Sequence, residues 1–233
     1  MIGVLVNTLT VLLGGAAGLL FRKGIPERVS SMVMLGLGAC SLYIGISGAL
    51  CGENTLVLIV SVVLGVIVGA LLRIDDAIHT LAERVEARLQ KRGGGSVAEG
   101  LVSATLLFCV GSMTATGSLQ AGLTGDSSIL LTKAMLDLVS SVMLAASLGM
   151  GVLLSAIPVL VIEGGLALLA GWLAPLLSTA VVNEMTCVGS LLIVMIGTNL
   201  MGITKIKVAD FLPAILFAPL ICQLFTMVEG LLA

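Results

Sequence analysis

Lys133 and Asp137 stand four positions apart inside the apolar run ILLTKAMLDLVSS. On a helix that is one turn, so an ammonium and a carboxylate meet along one face. Ser140 and Ser141 continue the same face. An ionisable group at depth in hydrocarbon costs about 2.5–3.5 kcal/mol on insertion scales, so this pair is expected to face protein or a water path rather than lipid. Two readings follow. Asp137 is a protonatable or cation-binding carboxylate, with Lys133 as its counter-ion or as the contact for an anionic solute. Alternatively, the pair is glue between helices.

A second, weakly polar face runs through LVSATLLFCVGSMTATGSL, where Thr105, Cys109, Ser112 and Thr116 follow one another at helical spacing. If the two stretches face each other they enclose a narrow lane that opens outward near Gln120 and Asp126. The simpler alternative is that each hydroxyl bonds its own helix carbonyls. Further polar residues interrupt apolar runs at Asn7, Thr8, Glu163, Thr198, Asn199 and Asp210. Asn7 and Asn199 can ligate an ion through their carbonyl oxygens, although interhelical hydrogen bonding is the plainer role for each. Glu163, near the middle of its run, is expected to be protonated or paired. Asp210 follows Lys205 and Lys207 at a helix start, where a carboxylate complements the helix dipole and reads as a cap.

Other chemistries lack parts. The chain has one histidine, His79, and five scattered cysteines (Cys40, Cys51, Cys109, Cys187, Cys222) with no CxxC. Neither a zinc site nor a disulfide framework is expected, and the cysteines read as small buried hydrophobes, with Cys51 alone in an outer loop. There is no GxSxG, HExxH, P-loop or strand-to-helix glycine fingerprint, so no enzyme, metal or cofactor is expected. A net charge of −2 without a dense basic patch sets nucleic acid aside.

The elements that must position these residues are membrane spans. Hydrophobic residues make up 58% of 233 and charged residues 10%, with a mean hydropathy of +1.23, whereas a soluble domain is roughly a quarter charged. Runs of the ~20 apolar residues needed to cross hydrocarbon recur along the chain. We place them at about 2–20, 31–50, 55–72, 100–118, 129–147, 151–172, 185–201 and 209–228. The fold class is therefore all-α, a polytopic bundle of about eight spans forming one domain over 1–233. Leu148-Gly149-Met150-Gly151 is the only break between the fifth and sixth spans, so one kinked element over 128–172 stays open. The first run carries Asn7 and lacks a basic flank, so it reads as a retained span rather than a cleaved signal.

Every Lys and Arg except Lys133 follows the first, third or seventh span. With eight spans these loops share one face, which predicts an inner (cytoplasmic) membrane protein with both termini outside. RIDDAIHTLAERVEARLQKRGGGS places Ile74, Ile78, Leu81, Val85 and Leu89 at helical spacing, so a cytoplasmic amphipathic helix is expected at about 74–92. It lies on headgroups or on the bundle, with docking of a soluble partner as the alternative. His79 falls towards its polar side and reads as solvated, and Gly93 to Ser96 form a flexible return. Among the 29 glycines, Gly14-xxx-Gly18 and Gly65-xxx-Gly69 mark close helix contacts, within the chain in preference to a homodimer seam. Gly14-Gly15 echoes Gly164-Gly165, Pro26 echoes Pro175, and Ile44-Gly45 echoes Ile196-Gly197, at offsets of 150, 149 and 152. Spans one to three would then match spans six to eight as inverted repeats around a central pair.

VNTLTVLLGGAAGLLFRKGIPER, FCVGSMTATGSLQAGLTGDSSILLTKAMLD and SLGMGVLLSAIPVL resemble the bacterial membrane family called domain of unknown function 554, the YqgA-like proteins. The resemblance covers the whole chain and is most specific from Phe108 to Asp137. It implies a multi-spanning bacterial inner-membrane protein and brings no substrate or catalytic residue with it. The expected function is a secondary transporter or channel-like protein for an ion or small polar solute, centred on spans four and five. Its expected site residues are Lys133, Asp137, Ser112, Thr116, Ser140, Asn7 and Asn199. The competing expectation is a non-transporting membrane scaffold or assembly factor. Expected partners are membrane lipids, the ion or solute, and a second copy of the chain.

Overall fold

The computed structural model describes the backbone over residues 1–22, 27–89, 97–110 and 112–232, with no side-chain description at 22, 27, 29, 30, 33, 81–83, 85–89, 112 and 228–232. The expected return at 93–96 lies outside the described residues. The helices are α1 (Ile2–Arg22), α2 (Glu27–Ala49), α3 (Thr55–Leu72), α4 (Ile74–Leu89), α5 (Val97–Cys109), α6 (Ser112–Leu123) and α7 (Ser128–Leu148). There follow α8 (Met150–Leu154), α9 (Ala156–Leu168), α10 (Ala170–Leu173), α11 (Thr179–Leu200), a 3-10 turn at Val208–Phe211, and α12 (Pro213–Leu232). No strand occurs among the described residues.

Among the described residues, six stretches are long and apolar enough to cross a membrane: Ile2–Phe21, Thr55–Leu72, Ser128–Leu148, Met150–Leu168, Thr179–Leu200 and Val208–Met227. The pair α5 and α6, bent by 61°, makes a seventh if it is one broken span. In α2 the apolar stretch is the shorter Met34–Ala49. The expected fourth span is thus not one rod. At its break Thr114 Oγ1 donates to the Phe108 carbonyl at 3.0 Å, satisfying a buried backbone acceptor that the interrupted ladder releases. The 128–172 stretch holds two of these membrane-length stretches, parted at Gly149. Gly149 ends α7 at φ 82° and ψ −144°, a conformation open to glycine and closed to other residues.

Large apolar side chains cover the outside of the bundle. Leu5, Leu9 and Leu13 on α1, Ile59, Val63 and Ile67 on α3, and Leu216, Leu220 and Leu224 on α12 are all exposed. An exposed apolar coat this continuous belongs against lipid. Inside, Val11, Phe108, Leu144, Val152, Val159 and Leu192 form one core. Helix association in lipid has no hydrophobic drive and depends on close backbone approach, and the glycines provide it. A Cβ on Gly14 would lie 2.6 Å from the Leu138 carbonyl oxygen, and one on Gly18 2.9 Å from Ala145 Cβ. Gly3 N–H meanwhile donates to Ser127 Oγ at 3.3 Å. Contacts on the two helices advance together, so α1 runs parallel to α7. Gly65 and Gly69 pack on Ala214 and Asp210, so α3 runs antiparallel to α12. Both small-xxx-small motifs are therefore buried in seams within the chain.

The seam between α2 and α11 is also antiparallel, and it is reciprocal. A Cβ on Gly45 would lie 2.8 Å from the Ser190 oxygen, and one on Gly197 would lie 2.9 Å from the Gly38 oxygen. Gly45 and Gly197, like Gly38 and Ser190, are 152 positions apart. Two ends of the bundle can be told apart. At one, Asp210 Oδ1 accepts from the Asp75 N–H at 2.9 Å and Lys207 Nζ pairs with Asp76 at 2.7 Å. At the other, Glu184 Oε1 accepts from the N–H groups of Glu53 and Asn54 at 2.8 and 2.9 Å.

Candidate ion-binding site

The tight seam between α1 and α7 brings the short Asn7 side chain onto the face that carries Lys133 and Asp137, and α9 adds Glu163. Asn7 Nδ2 donates to Glu163 Oε1 at 2.7 Å and to Asp137 Oδ2 at 3.0 Å. Lys133 Nζ donates to the same Asp137 oxygen and lies 3.3 Å from the same Glu163 oxygen. Two nitrogens and two carboxylate oxygens alternate around a closed ring. Asn7 and Glu163 are 0% exposed, Lys133 6% and Asp137 7%.

The ring is closed by three hydrogen bonds and one ion-pair contact. Both N–H groups of the Asn7 amide are used, and one ammonium faces two carboxylates. Glu163 Oε2 and Asn7 Oδ1 are buried and accept no hydrogen bond among the described residues, although a carboxylate has about four acceptor positions and an amide oxygen two. An uncompensated charge away from water is expensive, and one added proton on either acid would balance the ammonium against the carboxylates. No group of three or more His, Cys, Asp or Glu is gathered for a metal among the described residues.

The other expected site residues are distributed differently. Ser112 is described only in its backbone, and Thr116 is exposed on α6. Ser140 is half-buried, while the buried Ser141 donates to the Leu138 carbonyl at 2.9 Å. Asn199 is not at the ring. Its Nδ2 donates to the Ile206 carbonyl at 2.8 Å, and its Oδ1 accepts from Ile206 N–H and Thr204 Oγ1 at 2.9 and 2.7 Å, so it fastens the loop before the 3-10 turn. Asp210 caps the start of α4 rather than its own helix. Thr8 bonds the Val4 carbonyl of its own turn at 2.9 Å.

The expected lane between spans four and five is replaced by a site between α1, α7 and α9. From α5, Cys109 comes within electrostatic reach of Lys133, Glu163 and Asp137. Thr105, whose buried hydroxyl has no partner among the described residues, lines with Cys109, Ile162, Val182 and Ile215 a largely apolar cavity of about 320 Å³. None of the four ring residues lines that cavity, and Gln120 and Asp126, at the proposed outer mouth, bond each other at 2.6 Å. Glu163 was singled out in the sequence for its depth but not joined to the site, because its partner Asn7 is 156 positions away.

A family described as "Protein of unknown function (DUF554)" matches residues 2–223. The chain is 31% identical over 225 residues to the Bacillus subtilis uncharacterized membrane protein YdfK, covering 95% of each. It is also 31% identical over 221 residues to the Escherichia coli uncharacterized protein YqgA, covering 93% of this chain and 94% of that one. No solved structure matches.

Proposed function

We propose, for a chain that belongs to the DUF554 family, a secondary transporter of the bacterial inner membrane that couples movement of a small polar solute to a proton or monovalent cation held at the Asn7–Lys133–Asp137–Glu163 ring. The observation that carries this reading is the excess carboxylate: one ammonium against two carboxylates, with Glu163 Oε2 unpartnered at full burial. Membrane proteins keep ionisable groups at such depth mainly where charge moves.

Eight crossings with both termini outside suit the seam directions. Numbered as eight passes, spans one and five run the same way, as α1 and α7 do, while spans two and seven, and three and eight, run opposite ways, as α2 and α11, and α3 and α12, do. The basic loops around Arg73 and Lys207 also share one end, which the positive-inside rule assigns to the cytoplasm. The reciprocal contacts of Gly45 and Gly197 support an inverted repeat, and α1 lies against α8 and α9 in the same antiparallel sense, Asn7 meeting Glu163 of α9 while Gly15 faces Leu153 of α8. Rocking of one repeat on the other would open and close the ring from alternate sides.

The enclosed packing of the ring favours a second reading, a scaffold in which the four side chains only bind helices together. Reconstitution decides between them. Proteoliposomes with an entrapped pH-sensitive dye are screened with sodium, potassium, amino acids and organic anions under an imposed pH gradient. Solute-dependent proton or cation movement that Glu163→Gln abolishes while the protein still folds supports transport. A folded Glu163→Gln protein with unchanged flux, or no flux for any solute, gives the scaffold.

A further inference from the structure

A second cavity, of about 380 Å³, lies at the end of the bundle where α4, α5, α11 and the loop into the 3-10 turn converge. That volume is at the small end of the range for ligand pockets, roughly 300–1,000 Å³, and it is many times the ~30 Å³ share of one water. Its walls bring both signs of charge to one space. Asp75 and His79 enter from α4, Glu99 from α5, and Lys205 and Lys207 from the loop. Ile78, Val102, Ile196 and Val208 supply apolar surface between them.

The charged groups are set rather than loose. Asp75 has its backbone N–H fixed by Asp210, and its carboxylate is 3.5 Å from His79 Nε2 with 13% of the side chain exposed. Glu99 is half-buried in the wall. Lys207 is held by Asp76 at 2.7 Å, while Lys205 is exposed. A carboxylate with one partner already keeps acceptor positions for an ammonium, and a lysine ammonium has three donors to place on a carboxylate. Asn199 holds Thr204 and Ile206, so the loop that presents both lysines is pinned.

We propose that this cavity binds a small zwitterion of the α-amino-acid class. Its ammonium meets Asp75 and Glu99, its carboxylate meets Lys205 and Lys207, and its side chain rests on Ile78, Val102 and Ile196. A solute with only one of the two charges leaves the opposite wall unanswered, and a site built for a charged group rejects an analogue that lacks it. The inference rests on the transport reading only in taking this mouth as the place where the carried solute is first met.

The test is binding to the purified full chain in detergent, by thermal shift and calorimetry, with three probes of similar size: L-alanine, propionate, which lacks the ammonium, and ethylamine, which lacks the carboxylate. L-Alanine binds at least tenfold more tightly than either analogue. Lys205→Gln, at an exposed position that does not threaten folding, weakens L-alanine at least tenfold and leaves ethylamine unchanged. Asp75→Asn weakens L-alanine and leaves propionate unchanged. Equal binding of either analogue, no binding of L-alanine, or an unaltered Lys205→Gln protein overturns the proposal. Glu163→Gln separates the two ideas. Binding that survives in a protein without flux refutes transport alone, and flux of another solute without L-alanine binding refutes the zwitterion site alone.

Discussion

Lys133→Met should be the most damaging single change in the ring, because Lys133 serves both carboxylates. It donates to Asp137 and lies 3.3 Å from Glu163, so its loss leaves two buried acids sharing the one amide of Asn7. Breaking a buried ion pair from one side costs about 3–5 kcal/mol. Asp137→Asn is milder. Lys133 keeps Glu163, Asn7 keeps an amide oxygen to bond, and the loss is that of charge-assisted hydrogen bonds, about 1–3 kcal/mol. The two variants should therefore differ by roughly 2 kcal/mol. In the double variant Glu163 can take up a proton and stay neutral, so the combined loss falls short of the sum of the singles by about 0.5–3 kcal/mol. Sodium dodecyl sulfate titration of unfolding in mixed micelles measures all three. The three-way ring is refuted if Asp137→Asn equals or exceeds Lys133→Met, or if the double loss equals the sum of the singles within about 0.5 kcal/mol.

Gly14→Leu would drive a Cβ to 2.6 Å from the Leu138 oxygen and push α1 off α7, an overpacking loss of about 1–3 kcal/mol or more. Thermal melts in detergent should show it, and Gly171→Ala, with no atom near its added Cβ, should melt like the parent. Membrane-impermeant maleimide on intact cells should label the exposed Cys51 if the proposed topology holds, and in a Cys51→Ser background should reach an added Ala77→Cys only after permeabilisation; the reverse pattern would invert the topology. Lys207 holds Asp76 below the ordinary carboxylate range, and Asp76 in turn raises Lys207. The tie between α4 and the loop is thus present above the ordinary aspartate value and fades as pH falls through the lowered one. At the alkaline end it is complete below the ordinary lysine value and fades as pH rises through the raised one. Hydrogen exchange of α4 should quicken at both extremes and with salt, and a flat response would show that Lys207 does not hold the helix.

The sequence made the membrane class legible because a 2.5–3.5 kcal/mol insertion cost per charge keeps spans apolar over their whole length. It made the Lys133–Asp137 pair legible because one helical turn is a local rule. Asn7 was found by type, as a polar residue where none is needed. Its bond to Glu163 was not found, since contacts over 156 positions leave no periodic trace in one chain. Asn199 looked like an equivalent of Asn7, yet its carbonyl and amide both go to the backbone and hydroxyl of its own following loop. Helix breaks followed the same logic. Gly149 announced itself by composition, whereas the 61° bend after Cys109 falls inside a stretch apolar enough to read as one span.

The order in which the ring's members leave the ribosome has a consequence for biogenesis. Asn7 arrives first, and its acceptor Glu163 is made 156 residues later. At about 5–20 residues per second, that is an interval of roughly ten to thirty seconds. For most of this time α1 sits in the bilayer before α7, which closes its glycine seam and brings the Asp137 acceptor, has been made. A message truncated between codons 148 and 163 would yield a chain holding Asn7, Lys133 and Asp137 together but missing the second acid, so that one ammonium faces one carboxylate and the side of α1 that meets Glu163 stays uncovered.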